Sequence, residues 1–455
     1  MSKLSSFKAY DIRGRIPDEL NESLAYQIGQ AYAGFVKPRK IAVGRDIRHS
    51  SAELLTALTR GLTDSGVDVA DIGLCGTEGV YFATFDQKLD GGIMVTASHN
   101  PPDYNGMKFV REQSRPISAD TGLISMRSMI ENAQLPPKSG KPGSVTALDT
   151  RERYLRHLLG YIKGAKLKPF KVVVNAGNGG AGLIIDQLQE HLPFEFIKIH
   201  HNPDGSFPNG VPNPMLEDNR ASTIEAIRHS KADVGLAWDG DYDRCFFFDE
   251  NANFIDGYYL VGLLAESFLR THRGARIVHD PRVTWNTIDI VQQCGGQPVQ
   301  CKSGHAFIKQ RMREVDAVYG GEMSAHHYFR DFAYCDSGMI PWLLVLAVMS
   351  ECGKTLAELV GERQRLFPSS GEINRALSAQ TGETRAVLSR VQEHYQARAR
   401  SIDFTDGLSM EFERWRFNLR GSNTEPLVRL NVESRADSAL MQDKTAEILR
   451  LLDAP

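Results

Sequence analysis

The chain has 455 residues, more than one hydrophobic core usually organises, so its length predicts about three or four domains. Its composition is that of a globular protein, with 42% apolar and 24% charged residues. The net charge is −3, which excludes a basic surplus for nucleic acid or an anionic membrane, so any phosphate site must be a local cluster of cations.

The cysteines and the apolar segments predict a cytoplasmic protein. The six cysteines are scattered and form no CxxC pair, which favours reduced thiols over a disulfide framework or a zinc site. The N-terminal segment MSKLSSFKAYDIRG lacks the apolar stretch of a secretion signal. The longest apolar run, 339–349, contains Pro341 and is too short to cross a bilayer, so it predicts a buried helix.

Short β-rich runs alternate along the chain with amphipathic stretches of helical length. The β-rich runs are bounded by Gly, Asp or Ser, and the stretch 50–66 is typical of the helical ones. This alternation predicts βαβ units and largely parallel sheets. The predicted strands are 40–44, 91–97, 171–177, 232–238, 276–280 and 317–321.

A weak internal repeat organises these elements. A strand, a Gly/Asp turn and a helix occur together at 41–51, 172–182 and 276–287. A few dozen residues after each copy, a further strand runs into a polar loop; the loops read TASHNPPDYNG, WDGDYDRC and GGEMSAHHYF. Ligands of open α/β sheets bind beyond the carboxyl ends of strands, so three copies would direct three loops at one cleft.

Two linker-like stretches divide the chain, LPPKSGKPGS (135–144) and FPSSGE (367–372). After the second, two strand-like runs enclose a loop at 420–426 and a helix closes the chain, which predicts a small α+β domain. The expected fold is three tandem α/β domains with mixed, mostly parallel sheets plus a smaller C-terminal α+β domain, around a central cleft. The expected domains are 1–148, 149–253, 254–366 and 367–455.

Ser98 lies in the first polar loop, where a strand runs into a turn closed by two prolines. A loop serine often does no more than cap a turn, and the G-x-S-x-G sequence of a hydrolase nucleophile is absent. A serine that carries phosphate needs hydrogen-bond donors and a cation nearby. His99, Asn100 and Lys108 are close to it in sequence.

The second loop carries Asp239, Asp241 and Asp243 at alternate positions after a strand. Three hard carboxylates so spaced can converge on one Mg²⁺ or Ca²⁺ ion. An EF-hand needs glycine at the sixth position, where this chain has Arg244. Because carboxylates this close repel one another unless a cation offsets them, a divalent metal site is favoured over a solvated acidic turn.

Two further groupings have the composition of sugar and phosphate sites. Glu322, Ser324 and His326 combine a carboxylate, a hydroxyl and an imidazole that could bind sugar hydroxyls or cap a helix, and Lys302 and His305 lie just upstream. The late loop offers a guanidinium, hydroxyls, an amide and backbone N–H groups, which together suit an anion, although a bare turn would look similar. Its residues are Arg420, Ser422, Asn423 and Thr424, with Arg429 nearby.

Together with the opening segment FKAYDIRG (7–14), these motifs resemble the α-D-phosphohexomutase family, in its bacterial phosphomannomutase/phosphoglucomutase branch. The resemblance runs from Phe7 to beyond Arg429, with five motifs in the family's order. It implies that Ser98 is a phosphoserine and that, with the three aspartates, it holds Mg²⁺. The catalytic residues it implies are Ser98, Lys108, Arg244, His326, His99 and Arg13.

The resemblance also implies a set of substrate-binding residues. Glu322 and Ser324 would bind the sugar O3 and O4, with His326 close to the reacting hydroxyl. Arg282 stands where some relatives have lysine, which keeps the positive charge but changes its shape. The residues expected at the sugar and its distal phosphate are Tyr10, Arg282, Lys302, His305, Glu322, Ser324, Arg420, Ser422, Asn423, Thr424 and Arg429.

The reaction implied is interconversion of hexose 6-phosphate and hexose 1-phosphate, of mannose and glucose, through a 1,6-bisphosphate that also serves as activator. The expected partners are hexose phosphates, with no nucleic acid and no membrane, and the expected state is a monomer or small homo-oligomer. A phosphoglucosamine mutase is the nearest alternative, although such relatives usually read GEQS where this chain reads GEMS (321–324). A metal-dependent serine phosphatase is more remote, and a sugar-phosphate binding protein would leave the three aspartates without a purpose.

Overall fold

The computed structural model describes residues 4–282, 284–377, 384–421 and 427–453. The chain forms two compact units. Unit 1 consists of Met1–Phe254 and His326–Gly353, and unit 2 consists of Ile255–Ala325 and Lys354–Pro455.

The helices of the described residues are α1 (Glu22–Val36), α2 (Ser51–Asp64), α3 (Thr77–Asp86), α4 (Leu123–Glu131), α5 (Arg151–Gly160), α6 (Ala181–Leu188), α7 (Ala221–Ser230), α8 (Gly257–Thr271), α9 (Trp285–Gln293), α10 (His305–Val315), α11 (Ile340–Cys352), α12 (Leu356–Leu366), α13 (Thr384–Tyr395) and α14 (Ser438–Asp453). The strands are β1 (Ile12–Arg15), β2 (Lys40–Arg45), β3 (Asp68–Leu74), β4 (Gly91–Val95), β5 (Tyr104–Arg111), β6 (Arg115–Pro116), β7 (Val145–Ala147), β8 (Lys171–Asn175), β9 (Glu195–Ile199), β10 (Val234–Trp238), β11 (Cys245–Phe248), β12 (Phe254–Ile255), β13 (Arg276–His279), β14 (Gln297–Gln300), β15 (Tyr319–Gly321), β16 (His327–Phe329), β17 (Cys335–Asp336), β18 (Ile373–Ala376), β19 (Ser401–Asp403), β20 (Leu408–Glu411), β21 (Trp415–Gly421) and β22 (Leu427–Ser434).

The internal repeat predicted from the sequence is confirmed by the strand pairing. In each copy the first strand lies between two parallel neighbours, in the orders β4-β2-β3, β10-β8-β9 and β15-β13-β14. Helices α2, α6 and α9 follow the first strands, as the repeat predicts. The three polar loops therefore begin at the carboxyl ends of equivalent strands, β4, β10 and β15.

Burial explains why these segments form these elements. Every residue of β4 and of β10 is buried, as expected of parallel strands covered on both faces. Helix α2 buries Leu54, Leu55, Leu58 and Leu62, which recur at helical spacing on one face. Helix α11 is buried nearly all round, so the expectation of a buried helix at 339–349 is confirmed. No helix in the described part of the chain is long and apolar enough to cross a membrane.

Antiparallel strands make the sheets mixed. Strand β5 pairs antiparallel with β4 and with β1, and β11 pairs antiparallel with β10. The β4–β5 register sets Lys108 opposite Met94, near the end of the strand that leads to Ser98. The residues after Asp243 form a strand, CFFF, rather than the rest of a calcium-binding loop.

The C-terminal part of unit 2 is an α+β structure. Its sheet has the order β18-β22-β21-β20-β19, and every pairing is antiparallel. Helices α13 and α14 pack on this sheet through an apolar cluster that includes Val391, Ile448, Phe417 and Leu430. The expected fold class, three α/β domains followed by a smaller α+β domain, is thus confirmed.

Candidate active site

Ser98 is held in a buried, left-handed turn of unit 1. Its φ is 49°, a region that non-glycine residues rarely occupy, so the surroundings must hold the turn. The residue is only 3% exposed. Its Oγ donates to Asp239 Oδ2 at 2.9 Å and lies 3.1 Å from His99 Nδ1. The serine predicted to carry phosphate is therefore in direct contact with the aspartate loop.

Arg48 supports this turn, and no sequence motif marks it. The guanidinium donates to the backbone carbonyl oxygens of four residues of the serine loop. The acceptors are Ser98 at 2.9 Å, Asn100 at 2.5 Å, Pro101 at 2.6 Å and Tyr104 at 3.0 Å. Asp46 lies 3.4 Å from Arg48 Nε and offsets the buried charge. A single arginine thus satisfies the carbonyl groups of a loop that has no regular structure of its own.

Asp239, Asp241 and Asp243 converge as predicted. All three are buried, and each offers an oxygen within 4.8 Å of the others. Gly240 is required between them because a Cβ there would lie 2.5 Å from the Ser98 carbonyl oxygen. Asp241 Oδ1 and Asp243 Oδ1 are buried and have no hydrogen-bond partner among the described residues, which fits ligand atoms of a hard cation.

Two cationic side chains offset the charge of the aspartates. Lys108 Nζ lies 2.7 Å from Asp241 Oδ2 and 2.6 Å from Asp243 Oδ2. Burial alone would lower the pKa of Lys108, but these two carboxylates raise it above its ordinary value, so the ammonium form persists. Arg244 donates to Asp239 Oδ2 from Nε at 2.9 Å and from Nη2 at 2.7 Å.

The pKa values of the aspartates respond to this crowding in opposite directions. Burial would raise the pKa of Asp241, but Lys108 and Arg13 lower it below its usual range. Burial, and then the neighbouring Asp241 carboxylate, raise the pKa of Asp243. The raised pKa of Asp243 reflects repulsion between neighbouring carboxylates, and a divalent cation would relieve that repulsion.

His99 lies between Ser98 and Arg244. Arg244 Nη2 is 2.5 Å from His99 Nδ1, and because a guanidinium only donates, Nδ1 must be the acceptor. Burial, with Arg244 and Arg13 nearby, lowers the pKa of His99 well below its ordinary value. His99 is therefore a neutral acceptor beside the serine hydroxyl. Arg13 also reaches this loop, with Nη1 3.4 Å from Asn100 Oδ1, and Tyr10 is half-buried just before β1.

His326 belongs to unit 1 and joins the same group of residues. Its Nδ1 lies 2.9 Å from Asp336 Oδ2, and one of its ring nitrogens is within 4.8 Å of Asp243 and Asp336 oxygens. Burial opposes protonation, but Asp243 and Asp336 raise the pKa of His326 above its ordinary value. Asp336, which no motif singles out, therefore favours the protonated ring as a proton donor.

In unit 2, Glu322 follows β15 and is buried. Its Oε1 accepts from the Gly304 backbone N–H at 2.7 Å and lies 3.6 Å from Arg282 Nη2. The segment just before α10 thus lies beside Glu322. Ser324 and His305 are half-buried, whereas the Lys302 side chain is exposed, with Nζ 4.9 Å from the ring centroid of Phe307.

All three of the expected substrate-binding arginines lie in unit 2 and meet at one carboxylate, that of Glu372. The residue ends the linker-like stretch FPSSGE, and the sequence pattern assigns it no function. Its oxygens lie 2.9 Å from Arg282 Nη1, 3.0 Å from Arg420 Nη2 and 3.3 Å from Arg429 Nη1. Burial would raise the pKa of Glu372, but the arginines lower it to about 2. The other expected residues of the late loop, Ser422, Asn423 and Thr424, lie outside the described residues.

Comparisons with known proteins find matches in each part of the chain. Four family profiles match the chain in order, described as phosphoglucomutase/phosphomannomutase alpha/beta/alpha domains I, II and III and the C-terminal domain. They match residues 4–132, 152–253, 256–367 and 372–451 respectively.

Two bacterial relatives are similar along their whole length. A phosphomannomutase of Escherichia coli is 57% identical over 459 residues, covering 99% of this chain and 100% of the relative. A protein of Xanthomonas campestris pv. campestris described as phosphohexose mutases is 57% identical, covering 99% of both chains. Among solved structures, a phosphoglucomutase/phosphomannomutase family protein of Burkholderia thailandensis superposes with a TM-score of 0.88 at 32% identity, covering 100% of this chain and 99% of that one.

The fold, the serine–aspartate site and these relatives define a phosphohexomutase, an isomerase that interconverts hexose phosphates. More particularly, the chain belongs to the phosphoglucomutase/phosphomannomutase family. The resemblance drawn from the sequence motifs is therefore confirmed at the level of family, fold and reaction class.

Proposed function

We propose that this enzyme interconverts the 6-phosphates and 1-phosphates of mannose and glucose by means of a phosphoserine at Ser98. The observation that carries the proposal is the 2.9 Å hydrogen bond from Ser98 Oγ to Asp239, which joins the nucleophile directly to three buried carboxylates. The name of the Escherichia coli relative, phosphomannomutase, supports mannose phosphate as one substrate.

Asp239, Asp241 and Asp243 would hold Mg²⁺ together with an oxygen of the serine phosphate. Mg²⁺ suits a site of a few carboxylates and phosphate oxygens. The buried Oδ1 atoms of Asp241 and Asp243, which have no hydrogen-bond partner within the described part of the chain, fit such ligands. When bound, it would neutralise charge on the phosphoryl group during transfer.

The remaining residues of unit 1 have complementary proposed roles. Arg244 is fixed by Asp239, so its guanidinium would face the serine phosphate and bind its oxygens. Lys108 and His326 are the proposed proton carriers, and neighbouring carboxylates raise the pKa of both side chains. A protonated carrier can release its proton to a leaving oxygen, and the same group can then accept one from the attacking hydroxyl.

Unit 2 would bind the sugar and the phosphate that is not reacting. Glu322 and Ser324 would bind O3 and O4, and Arg420, with Ser422, Asn423 and Thr424, would hold the distal phosphate. The substrate must bind in two orientations, with C1 or C6 at Ser98, and a 1,6-bisphosphate would be the intermediate between them. O3 and O4 exchange places on this reorientation, so residues that bind them serve both orientations.

The proposed recognition explains why two epimers would be accepted. Mannose and glucose differ only at C2. The C2 hydroxyl lies on a different edge of the ring from O3 and O4. A site that hydrogen-bonds a hydroxyl can discriminate against its absence by roughly 10⁴-fold, whereas a site that ignores it cannot. Glucosamine phosphate also differs at C2, so its turnover measures how far that position is read.

One assay tests this proposal: purified enzyme with Mg²⁺, a hexose 1,6-bisphosphate activator and the 1-phosphates of mannose, glucose and glucosamine. We expect mannose and glucose phosphates to have values of kcat/KM within about tenfold of each other, because O2 is not bound. Preference for glucosamine phosphate would indicate a phosphoglucosamine mutase, and release of inorganic phosphate without isomerisation would indicate a phosphatase. A cytoplasmic location and a monomeric or small homo-oligomeric state stay predictions.

A further inference from the structure

Glu372 of unit 2 is shared by three arginines that come from distant parts of the chain. Arg282 follows β13, whereas Arg420 and Arg429 are directly opposite each other on β21 and β22. Both carboxylate oxygens take part: Oε2 accepts from Arg282 and Arg420, and Oε1 accepts from Arg429. The Glu372 side chain is only 8% exposed. Guanidinium groups brought this close would repel one another without an anion between them.

Arg420 has donors left over after this contact. Its Nη2 donates to Glu372 at 3.0 Å, while its Nε is buried and has no hydrogen-bond partner among the described residues. Arg282, by contrast, also donates to Asp280 Oδ2 from Nε at 3.1 Å and from Nη2 at 2.6 Å. Compared with Arg282, Arg420 therefore has more capacity for a second anion.

A second buried ion pair on β21 and β22 provides a comparison, because its carboxylate binds only one arginine among the described residues. Glu433 binds Arg416 at 2.7 Å and also accepts from the hydroxyl groups of Tyr258 and Thr284. Arg416 in turn donates to the Pro281 carbonyl oxygen at 3.0 Å. Here one carboxylate serves one arginine and the remaining bonds go to neutral groups, as in a structural pair. Glu372 differs because one carboxylate serves three guanidinium groups.

We propose that Glu372 is a built-in competitor for the phosphate that Arg420 binds: it positions the arginines while the site is empty and opposes tight retention of the phosphate afterwards. The inference rests on the proposed role of Arg420 in holding the non-reacting phosphate. Carboxylate and phosphate groups both bind a guanidinium through its parallel donors, so each weakens the hold of the other. Glu372 thereby limits the affinity of the arginine cluster for any phosphate.

The reaction gives this competition a purpose. The arginines must release the distal phosphate of the bisphosphate intermediate. The intermediate must then reorient and present that phosphate to Ser98. A phosphate held by three uncompensated arginines would dissociate slowly. Binding that is equally strong before and during the chemical step does not accelerate that step. A fixed carboxylate lowers the cost of release without removing the positive charge that attracts the substrate.

The test compares the wild-type enzyme with Glu372→Gln, which keeps the shape of the side chain and removes its charge. Inorganic phosphate is the probe, measured as a competitive inhibitor of the Mg²⁺-loaded enzyme. We expect Glu372→Gln to bind phosphate about tenfold more tightly, since a charge-assisted hydrogen bond is no longer lost on binding. KM for the hexose phosphate should fall together with kcat, because release of the intermediate becomes slower.

A purely structural role predicts the opposite sign. If Glu372 only held the arginines in place, its loss would disorder them, KM would rise and phosphate would bind more weakly; that result, or an unchanged inhibition constant, would overturn the proposal. Glu433→Gln is the matched control, a buried carboxylate of the same sheet, and should leave the phosphate constant unchanged. Glu372→Asp, which keeps the charge, should stay within about threefold of the wild type, because the competing anion is retained.

Thermal unfolding keeps the test informative even if Glu372→Gln is less stable. Phosphate should raise the Tm of Glu372→Gln more than that of the wild type, because it replaces the missing anion.

Arg420→Ala distinguishes a failure of the proposed role of Arg420 from a failure of the inference about Glu372. If that variant binds phosphate as well as the wild type does, the proposed role of Arg420 and this inference both fail. If it weakens phosphate binding about 30-fold but Glu372→Gln does not tighten it, only the inference about Glu372 fails. The tightening should also disappear in the double variant.

Discussion

The two units gather like charges in opposite ways. In unit 1 three buried carboxylates converge and cationic side chains, Lys108 and Arg244, lie against them. In unit 2 three guanidinium groups converge and one carboxylate, Glu372, lies among them. Under the proposed function, each arrangement would prepare a site for a ligand of the opposite charge: a divalent cation in unit 1 and a phosphate in unit 2.

The comparison teaches how a protein keeps a strongly charged site folded when its ligand is absent. Charges of one sign, desolvated and close together, cost several kcal/mol unless they are paired. Both units supply an internal counter-ion on a different element from the charges it offsets. Lys108 comes from β5, while the aspartates follow β10; Glu372 precedes β18, while Arg420 comes from β21. Four predictions test the aspartate site of unit 1 and the arginine cluster of unit 2 separately.

Ser98→Ala is expected to have the largest effect. Removing the nucleophile should lower kcat by at least about a thousandfold, because no other group can store the phosphoryl group between half-reactions. Peptide mass spectrometry of the wild-type protein should find partial phosphate on Ser98. Phosphate found reproducibly at another residue, with Ser98→Ala still active, would contradict the proposed mechanism. Phosphate binding at the arginines of unit 2 should be unaffected by this variant.

Asp241→Asn should weaken Mg²⁺ binding and turnover together, by about 100-fold or more, since even supporting groups of metal ligands cost 10- to 100-fold. The measurement is the Mg²⁺ concentration that gives half-maximal activity. Asp249→Asn is a suitable control, because Asp249 is buried in the same unit but its carboxylate binds the turn at Asn251 and Asn253. Activity that resists chelators, or an unchanged Mg²⁺ requirement in Asp241→Asn, would remove the metal from this loop.

Arg48→Lys should lower kcat by roughly 10- to 100-fold while leaving the Mg²⁺ requirement nearly unchanged. An ammonium group cannot reproduce the planar array of donors that reaches four carbonyl groups, so the serine turn should lose its fixed position. Steady-state kinetics at several Mg²⁺ concentrations distinguish the two effects. If kcat is unchanged, the turn is held by other contacts and Arg48 has no positioning role.

The last prediction concerns stability in acid rather than turnover, and it applies to unit 2. The pKa of Glu372 is lowered from 4.5 to about 2, so its contribution is fully present above about pH 4.5 and is lost as the pH falls through about 2. The shift corresponds to about 3 kcal/mol of unfolding free energy. In urea unfolding, the difference in stability between the wild type and Glu372→Gln should shrink over this pH window. A constant difference would show that the arginines do not stabilise the charged form.

Features that are local in the chain could be predicted from the sequence alone. Strand and helix patterns revealed three copies of one βαβ unit, because hydrophobic periodicity depends on neighbours a few residues apart. The aspartates at 239, 241 and 243 are recognisable as a candidate metal site because their alternate spacing after a strand lets their carboxylates converge. The motifs in their order were also sufficient to identify the family.

Tertiary structure decided which residues support those motifs. Arg48 is 50 residues from Ser98, and Arg282 is 90 residues from Glu372, so no local pattern connects them. Glu372 even lies in a stretch whose Pro, Gly and Ser content is typical of a linker. Buried charges find their partners through the packing of separate strands, and the need to pair them becomes visible only when those strands are in place. The sequence alone therefore predicts the candidate ligand-binding loops, whereas the fold determines which charged residues lie against the aspartates of unit 1 and the arginines of unit 2.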